Sequence, residues 1–247
     1  MNKQEAERAY RAAQHLSELI PYLPVNALVD LAMIGNAACQ AALAEAKTVA
    51  APVSAALAEI GDVAEVTLLV RNKGAVIASF SLIRMVERFG QFEALMAAVE
   101  ARAEGLRAGS GDVWAALASA RLRTVCEMMG GTQDQEAIDQ AIVALLWASD
   151  SKARAAYIEA FARFDQITPR LIRLALSSGA TDVAAAILAV LSDISIIDIK
   201  AMLAHQDHRS FVRLLDIVGL PASMVPDFLD AAARSTLKPS ELTPLAA

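Results

Sequence analysis

The residues whose types and spacing come nearest to a chemical site are His205, Asp207 and His208, in the segment HQDHR. Two imidazoles and a carboxylate are donors that a zinc ion accepts, but a catalytic zinc normally needs three converging protein ligands. The segment falls at a predicted corner between two helices, where polar side chains usually cap helix ends. The remaining histidine, His15, is distant in sequence. We therefore predict no metal site, and the role of this segment is left open.

Nucleophilic chemistry would fall to Cys39 and Cys126, which both lie inside helical patterns. Reactive cysteines need an accessible, electropositive setting, so we predict that both are small core residues in a reducing compartment. The sequence has no GxxxxGK[ST] phosphate loop, no strand-preceded GxGxxG, no GxSxG elbow and no HExxH. The prediction is a protein that is not an enzyme, with no catalytic residue and no cofactor.

Basic residues near the middle of the chain form the second candidate site. Arg71, Asn72 and Lys73 end a predicted helix, where cations interact favourably with the last carbonyl groups. Arg84 and Arg88 follow one helix later and share a face, because they are four residues apart. The alternative to a capping role is a polar patch for an acidic partner. These five residues are our predicted partner-binding residues.

Charge limits the choice of partner. The net charge is −6 and the isoelectric point is near 5.1, which weighs against nucleic acid, whose phosphates require a basic surface. Residues 71–123 nevertheless hold eight Lys or Arg against five acidic residues. The alternative prediction is therefore a HEAT-like protein that binds nucleic acid in a basic groove. That groove would be lined by Arg71, Arg84, Arg88, Arg121 and Arg123.

An internal repeat positions these candidates. Between residues 167 and 233, predicted helices begin at Thr168, Ser195 and Pro221, at spacings of 27 and 26 residues. A fixed period of two short helices is typical of an α-solenoid, in which each unit buries its apolar face against its neighbours.

A second, less regular copy of the period runs from Val25 to about Gly90. Gly35 and Gly61 mark the same corner between helices, where we expect a glycine in the left-handed conformation and, at Asn36, an N-cap. The aligned pairs, 26 residues apart, include Asn36 with Asp62, Leu43 with Leu69, Lys47 with Lys73, and Val49 with Ala75.

Composition supports an all-α fold. Hydrophobic residues make up 56%, much of it alanine, and aromatic residues only 5%, with a mean hydropathy of +0.42. We predict an irregular right-handed superhelix of HEAT-like helix pairs, with longer helices in the middle. The predicted sections are 1–107, an N-terminal capping helix (residues 3–20) plus repeats; 108–166, the long helices; 167–234, the second repeats; and 235–247, a flexible tail.

The location follows from what the chain lacks. Its longest apolar run, residues 183–191, is too short to span a bilayer, and its charged first dozen residues contain no signal-peptide core. We predict a cytoplasmic protein without a membrane partner.

The chain resembles a helical-repeat family of unknown function that is found mainly in alphaproteobacteria. The likeness rests on the HEAT-like pairs that start near Pro24, on LLVRNKGA at residues 68–75, and on the longer central helices, and it covers most of residues 20–235. It implies the superhelical fold and supplies no catalytic residues. Because solenoid surfaces commonly bind peptides, helices or folded proteins, the predicted function is a non-enzymatic interaction or scaffold module for a protein or peptide partner, with homodimerisation as a companion property.

Overall fold

The computed structural model describes residues 15–106, 109–130 and 134–235, and these residues fold almost entirely into helices. Residues 15–19 are helical, and short 3-10 helices occupy Ile20–Tyr22 and Ala222–Met224. This confirms the predicted all-α class. The α-helices are α1 (Val25–Ile34), α2 (Ala37–Ala44), α3 (Ala51–Ile60), α4 (Val63–Arg71), α5 (Ser79–Phe89), α6 (Glu93–Ala103), α7 (Ser110–Met128), α8 (Gln135–Ala148), α9 (Ser151–Arg163), α10 (Pro169–Ser177), α11 (Thr181–Ser192), α12 (Ile196–Ala204), α13 (His208–Ile217) and α14 (Val225–Ser235).

The chain divides into two compact units, residues 1–120 and 121–247, and the boundary falls within α7. The three-section division and its boundaries stay a prediction. The amphipathic helix predicted over residues 3–20 lies outside the described residues as far as residue 14, although Ile20 is described and buried. The flexible tail was predicted over residues 235–247, and of these only residue 235 belongs to the described residues.

Unit 1 is built from two layers of helices. Helices α1, α3 and α5 form one layer, and α2, α4 and α6 form the other, because each helix packs against the helix two places along the chain. Consecutive helices also contact each other and join the layers. Leu43 and Leu69, which align at 26 residues in the sequence, are both fully buried, as equivalent positions of stacked pairs should be. This is the packing of an α-solenoid.

The corners at Gly35 and Gly61 differ from expectation. Their φ angles are −69° and −58°, so neither adopts the left-handed conformation. Glycine is required for another reason: an added Cβ would lie 2.3 Å from the Leu31 carbonyl oxygen at Gly35, and 2.8 Å from that of Leu57 at Gly61. The predicted N-cap at Asn36 is confirmed, because its side chain accepts a hydrogen bond from the Cys39 amide at 3.0 Å.

Unit 2 begins as a similar stack and then departs from it. Helices α8 and α10, α9 and α11, and α11 and α13 pack in the same alternating way. Thr168 and Ser195 cap α10 and α12, as the repeat predicts. The third start, at Pro221, opens a 3-10 turn instead, and α14 follows from Val225.

Helix α14 packs against α10, whereas α12 packs on α11 and α13. Helix α12 therefore buries only Ile199 and Leu203, while the equivalent helix α10 buries four residues. The residues that α10 buries are Leu171, Ile172, Ala175 and Leu176. The repeat in sequence is thus more regular here than the packing it produces.

Candidate functional site

Two connecting loops of unit 1 lie side by side and are joined by backbone and side-chain hydrogen bonds. Residues 45–50 lead from α2 into α3, and residues 72–78 lead from α4 into α5. A parallel bridge joins Val49 to Ala75: the Val49 amide donates to the Gly74 carbonyl at 3.2 Å, and the Val76 amide donates to the Val49 carbonyl at 2.9 Å. We call these two loops together the loop edge.

Asn72 fastens the second loop to the first. Its side-chain amide nitrogen donates to the carbonyl oxygens of Ala44 and Ala46, both at 2.7 Å, and its side-chain oxygen accepts from the Gly74 amide at 2.9 Å. Both amide protons and one acceptor site are therefore used within the chain. Asn72 is a structural bridge between repeats, so its side chain offers little to a partner.

Gly74 allows the loops to approach closely. A Cβ at this position would lie 2.0 Å from the carbonyl oxygen of Lys47, well inside any van der Waals contact. The backbone of residue 74 therefore lies directly against that of residue 47. Lys73 directly precedes Gly74. The aligned residues Lys47 and Lys73 therefore belong to backbone segments that lie next to each other.

Arg102, on α6, also donates side-chain hydrogen bonds to backbone carbonyl groups of the preceding helix pair, as Asn72 does. Its guanidinium donates to the carbonyl oxygens of Val70 at 3.0 Å and Asn72 at 2.9 Å, and also to that of Ala75. Burial lowers the pKa of Arg102 from its ordinary value, but an arginine remains charged at neutral pH. Arg102 thus holds the second loop in place through three backbone carbonyl groups and adds a half-buried positive charge beside it.

The exposed side chains of the loop edge are basic and apolar. Lys47, Lys73 and the adjacent Arg71 are exposed and make no ion pair or side-chain hydrogen bond within the described part of the chain. Val76, in the second loop, and Phe80, at the start of α5, are 61% and 66% exposed. Glu45 is the acidic residue of the two loops, so the positive side chains outnumber it. The surface can attract an anionic group and cover an apolar one.

The other two predicted partner-binding residues face a different element. Arg84 donates through Nε to the Glu59 carboxylate on α3, at 3.0 Å and 3.1 Å, and also reaches Glu87 at 3.4 Å. These bonds, first that to Glu59, raise the pKa of Arg84 above its ordinary value. The Arg88 guanidinium donates to the Ala58 carbonyl at 2.6 Å and lies 4.5 Å from the centre of the Phe89 ring. Both cations link α5 to α3.

The five arginines predicted to line a groove for nucleic acid are divided between the two units. Arg121 and Arg123 belong to unit 2, in the second part of α7, and Arg123 is exposed while Arg121 is half-buried. Of the groove residues in unit 1, Arg84 and Arg88 already contact protein groups. Arg71 and Arg123 are exposed and make no ion pair or side-chain hydrogen bond with the described residues.

The histidine segment serves to begin α13. Asp207 is its N-cap and accepts a hydrogen bond from the Ser210 amide at 3.1 Å. Hydrogen bonds from Ser210 lower the pKa of Asp207. A pocket of about 10 Å³ beside it has room for a single water molecule. In the part of the chain that the structure describes, no group of three or more His, Cys, Asp or Glu side chains could hold a metal ion.

Both cysteines are half-buried thiols. Desolvation raises the pKa of Cys39 and of Cys126, which disfavours the nucleophilic thiolate. The thiol of Cys39 lies 3.8 Å from the carbonyl oxygen of Leu31, at the close corner formed by Gly35.

Sequence reasoning found part of the loop edge and missed part. It singled out Arg71, Asn72 and Lys73, and it aligned Lys47 with Lys73 and Val49 with Ala75, which are the residues that the structure brings together. It did not predict Lys47, Val76 or Phe80 as site residues, although the alignment of the two lysines was a usable signal. Nothing in the sequence indicates that Arg102 reaches back across a whole helix pair.

The fold and the loop edge define a class: an α-helical protein of stacked helix pairs, with side-chain bridges between successive repeats. The chain belongs to the bacterial family described as "Uncharacterised protein conserved in bacteria (DUF2336)", which matches residues 18–244. No curated protein matches the chain, and no solved structure matches it. Among the described residues, no helix combines the length and apolar character needed to cross a bilayer.

Proposed function

We propose that this protein is a non-enzymatic interaction module and that the loop edge of unit 1 is its binding surface for a protein partner. One observation carries the proposal: Lys47, Lys73 and Arg71 are exposed and have no partner among the described residues, and the exposed Val76 and Phe80 follow in the same loop and at the start of α5. Unpaired cations next to apolar side chains are able to bind a partner through charge and through burial of apolar surface.

The backbone beneath these side chains favours binding. The bridge between Val49 and Ala75 and the bonds from Asn72 and Arg102 fix the two loops before any partner arrives. A surface that is ordered in advance loses less conformational entropy on binding, so more of the contact energy contributes to affinity. The use of such surfaces by helical-repeat proteins is an analogy of fold and adds only general support.

The test compares two charge-reversal variants of the full chain. Lys47→Glu/Lys73→Glu changes the loop edge, and Arg209→Glu/Arg213→Glu makes the same change in charge on the exposed face of α13 in unit 2. Wild type and both variants are immobilised, exposed to native lysate and analysed by quantitative mass spectrometry. We expect a specific protein that wild type and the α13 variant retain and that the loop-edge variant loses.

Two results would overturn the proposal. One is equal retention of every protein by all three chains. The other is tight, salt-sensitive binding of DNA or RNA with no specific protein, which would favour the nucleic-acid alternative. Light scattering of the purified chain tests the predicted homodimer separately, since self-association need not use the loop edge.

A further inference from the structure

We infer that the loop edge recognises a short acidic peptide segment in an extended conformation, with carboxylates at alternate positions and an apolar residue beside them. The inference rests on the proposed interaction function and specifies the chemistry of the partner. It follows from the charge, the spacing and the apolar content of the loop edge.

Charge indicates an acidic ligand. Lys47, Lys73 and Arg71 are exposed and have no acidic partner within the described residues. Glu45 is the single counter-charge in the two loops. The N-termini of α3 and α5 and the C-termini of α2 and α4 all lie at this edge, so the helix dipoles do not decide the sign of the ligand. The three exposed cations, which outnumber Glu45, therefore favour a negative ligand over a positive one.

Spacing indicates an extended peptide. Neighbouring strands at a bridge are about 4.8 Å apart, and stacked helices are roughly 8–10 Å apart. We expect the backbones of Lys47 and Lys73 to be separated by a distance between these two limits, because both residues precede the Val49–Ala75 bridge and belong to loops that join stacked helices. In an extended peptide, side chains on one face recur roughly every 6.6 Å. Carboxylates at alternate positions therefore match the two lysines.

The exposed apolar side chains near the loop edge favour a peptide ligand over a nucleic acid or an anionic membrane. Val76 and Phe80 lie at the same edge and are largely exposed, so an apolar peptide side chain can bury them. Binding to an anionic membrane through charge alone usually takes about 4–8 clustered Lys or Arg. The two lysines of the loop edge and the adjacent Arg71 are three exposed cations in a chain of net charge −6, which opposes binding to membranes and nucleic acids.

The probe is a fluorescein-labelled peptide that alternates Glu with Val and contains one Phe, measured by fluorescence anisotropy against the full-length protein. The matched control peptide has the same composition with its Glu residues in one block. We expect the alternating peptide to bind wild type, and to bind Lys47→Glu/Lys73→Glu at least about tenfold more weakly. Arg209→Glu/Arg213→Glu should bind like wild type, and Phe80→Ala should bind about threefold more weakly.

Circular dichroism first confirms that each variant is folded. Failure of wild type to bind the alternating peptide, equal binding of the block peptide, or equal loss in both charge-reversal variants would each overturn the inference. So would binding of phosphatidylserine vesicles in place of the peptide. If the loop-edge variant loses its protein partner from lysate while wild type does not bind the peptide, the proposed function stands and the acidic-peptide inference fails.

Discussion

Gly74 shows how much depends on one missing methyl group. The two loops of the loop edge meet at this residue, and the carbonyl oxygen of Lys47 occupies the space that a Cβ would need. The bridge of Val49 and Ala75 and the amide contacts of Asn72 all lie within a few residues of this close approach. The exposed lysines can be neighbours only because residue 74 has no side chain.

Replacing Gly74 with alanine should therefore destabilise unit 1. The added Cβ would lie 2.0 Å from backbone, which cannot rotate away as a flexible side chain could. We expect a loss of about 1–3 kcal/mol in the free energy of unfolding, measured by urea unfolding followed by circular dichroism. Gly105→Ala is the control, because its nearest atom, the Arg102 carbonyl oxygen, is 3.5 Å away. Equal unfolding midpoints for the two variants would contradict this explanation.

Asp150 gives a second prediction, on pH. It caps α9 by accepting hydrogen bonds from the amides of Ala153 and Lys152, both at 2.9 Å, and these bonds lower its pKa. A pKa that is lower in the folded state contributes stability above the unfolded value of about 3.9, and this contribution is lost as the pH falls through the folded pKa. Asp150→Asn keeps a capping oxygen without a titrating group.

We therefore expect the melting temperature of wild type to fall more than that of Asp150→Asn between about pH 5 and pH 2.5. Asp30→Asn, on the exposed side of α1, is the control, because Asp30 makes no hydrogen bond within the described residues. Parallel melting curves for wild type and Asp150→Asn would show that the cap does not contribute in this way.

For single residues, the sequence predicts local hydrogen bonds better than hydrogen bonds between residues that are distant in the chain. The N-cap at Asn36 was predictable, because a capping side chain acts within three residues of itself. The partners of Asn72, by contrast, lie 26 and 28 residues earlier in the chain. The same is true of Arg88, whose partner carbonyl is 30 residues away. Such contacts depend on how the helices stack, which no local pattern records.

Between the helices and loops of unit 1, the side-chain hydrogen bonds of Asn72 and Arg102 follow the same pattern. A donor side chain from one repeat binds the backbone carbonyls that end the helix of the repeat before it. The last carbonyls of a helix lack partners within the helix, so each bridge satisfies groups that the stack would otherwise leave without a donor. In unit 2, Arg154 on α9 satisfies the end of the helix directly before it, α8, through the carbonyls of Leu146 and Ser149, which are only eight and five residues away.

Arg102→Met tests this pattern, since methionine keeps much of the apolar stem and removes the donors. Hydrogen bonds to charged groups contribute about 1.5–3 kcal/mol, so the second loop should open more easily. We expect faster hydrogen exchange at the Val76 amide, which bonds to Val49, measured by NMR. The control is Arg123→Met, at an exposed position on α7. Unchanged protection of Val76 would mean that the bridge alone holds the loops.

The existence and order of the helices could be predicted from apolar periodicity, whereas their packing partners could be predicted only where the repeat stays regular. Unit 1 follows the period, so Leu43 and Leu69 are buried as equivalents. Unit 2 departs from it where α14, rather than α12, packs on α10. The aligned residues Ile172 and Ile199 are both buried, so the apolar pattern is satisfied in either arrangement and cannot distinguish them.

For the whole molecule, two compact units divide the chain, and each contains its own buried residues. In unit 1 these include Leu57 and Leu82, and in unit 2 they include Leu176 and Phe228. A chain of two such units is not expected to unfold as one two-state system. The loop edge belongs wholly to unit 1, so its binding should depend on the stability of that unit.

Phe228→Ala tests whether the two units unfold independently. Phe228 is fully buried in α14, the helix that packs on α10, and removing a buried phenylalanine ring costs about 3–5 kcal/mol. We expect hydrogen exchange measured by mass spectrometry to show lost protection in residues 134–235, with protection retained around the loop edge. Leu57→Ala should produce the reverse pattern, because Leu57 is fully buried in unit 1. Loss of protection in both units from either substitution would show that the two cores unfold together, and that loop-edge binding is coupled to the whole chain.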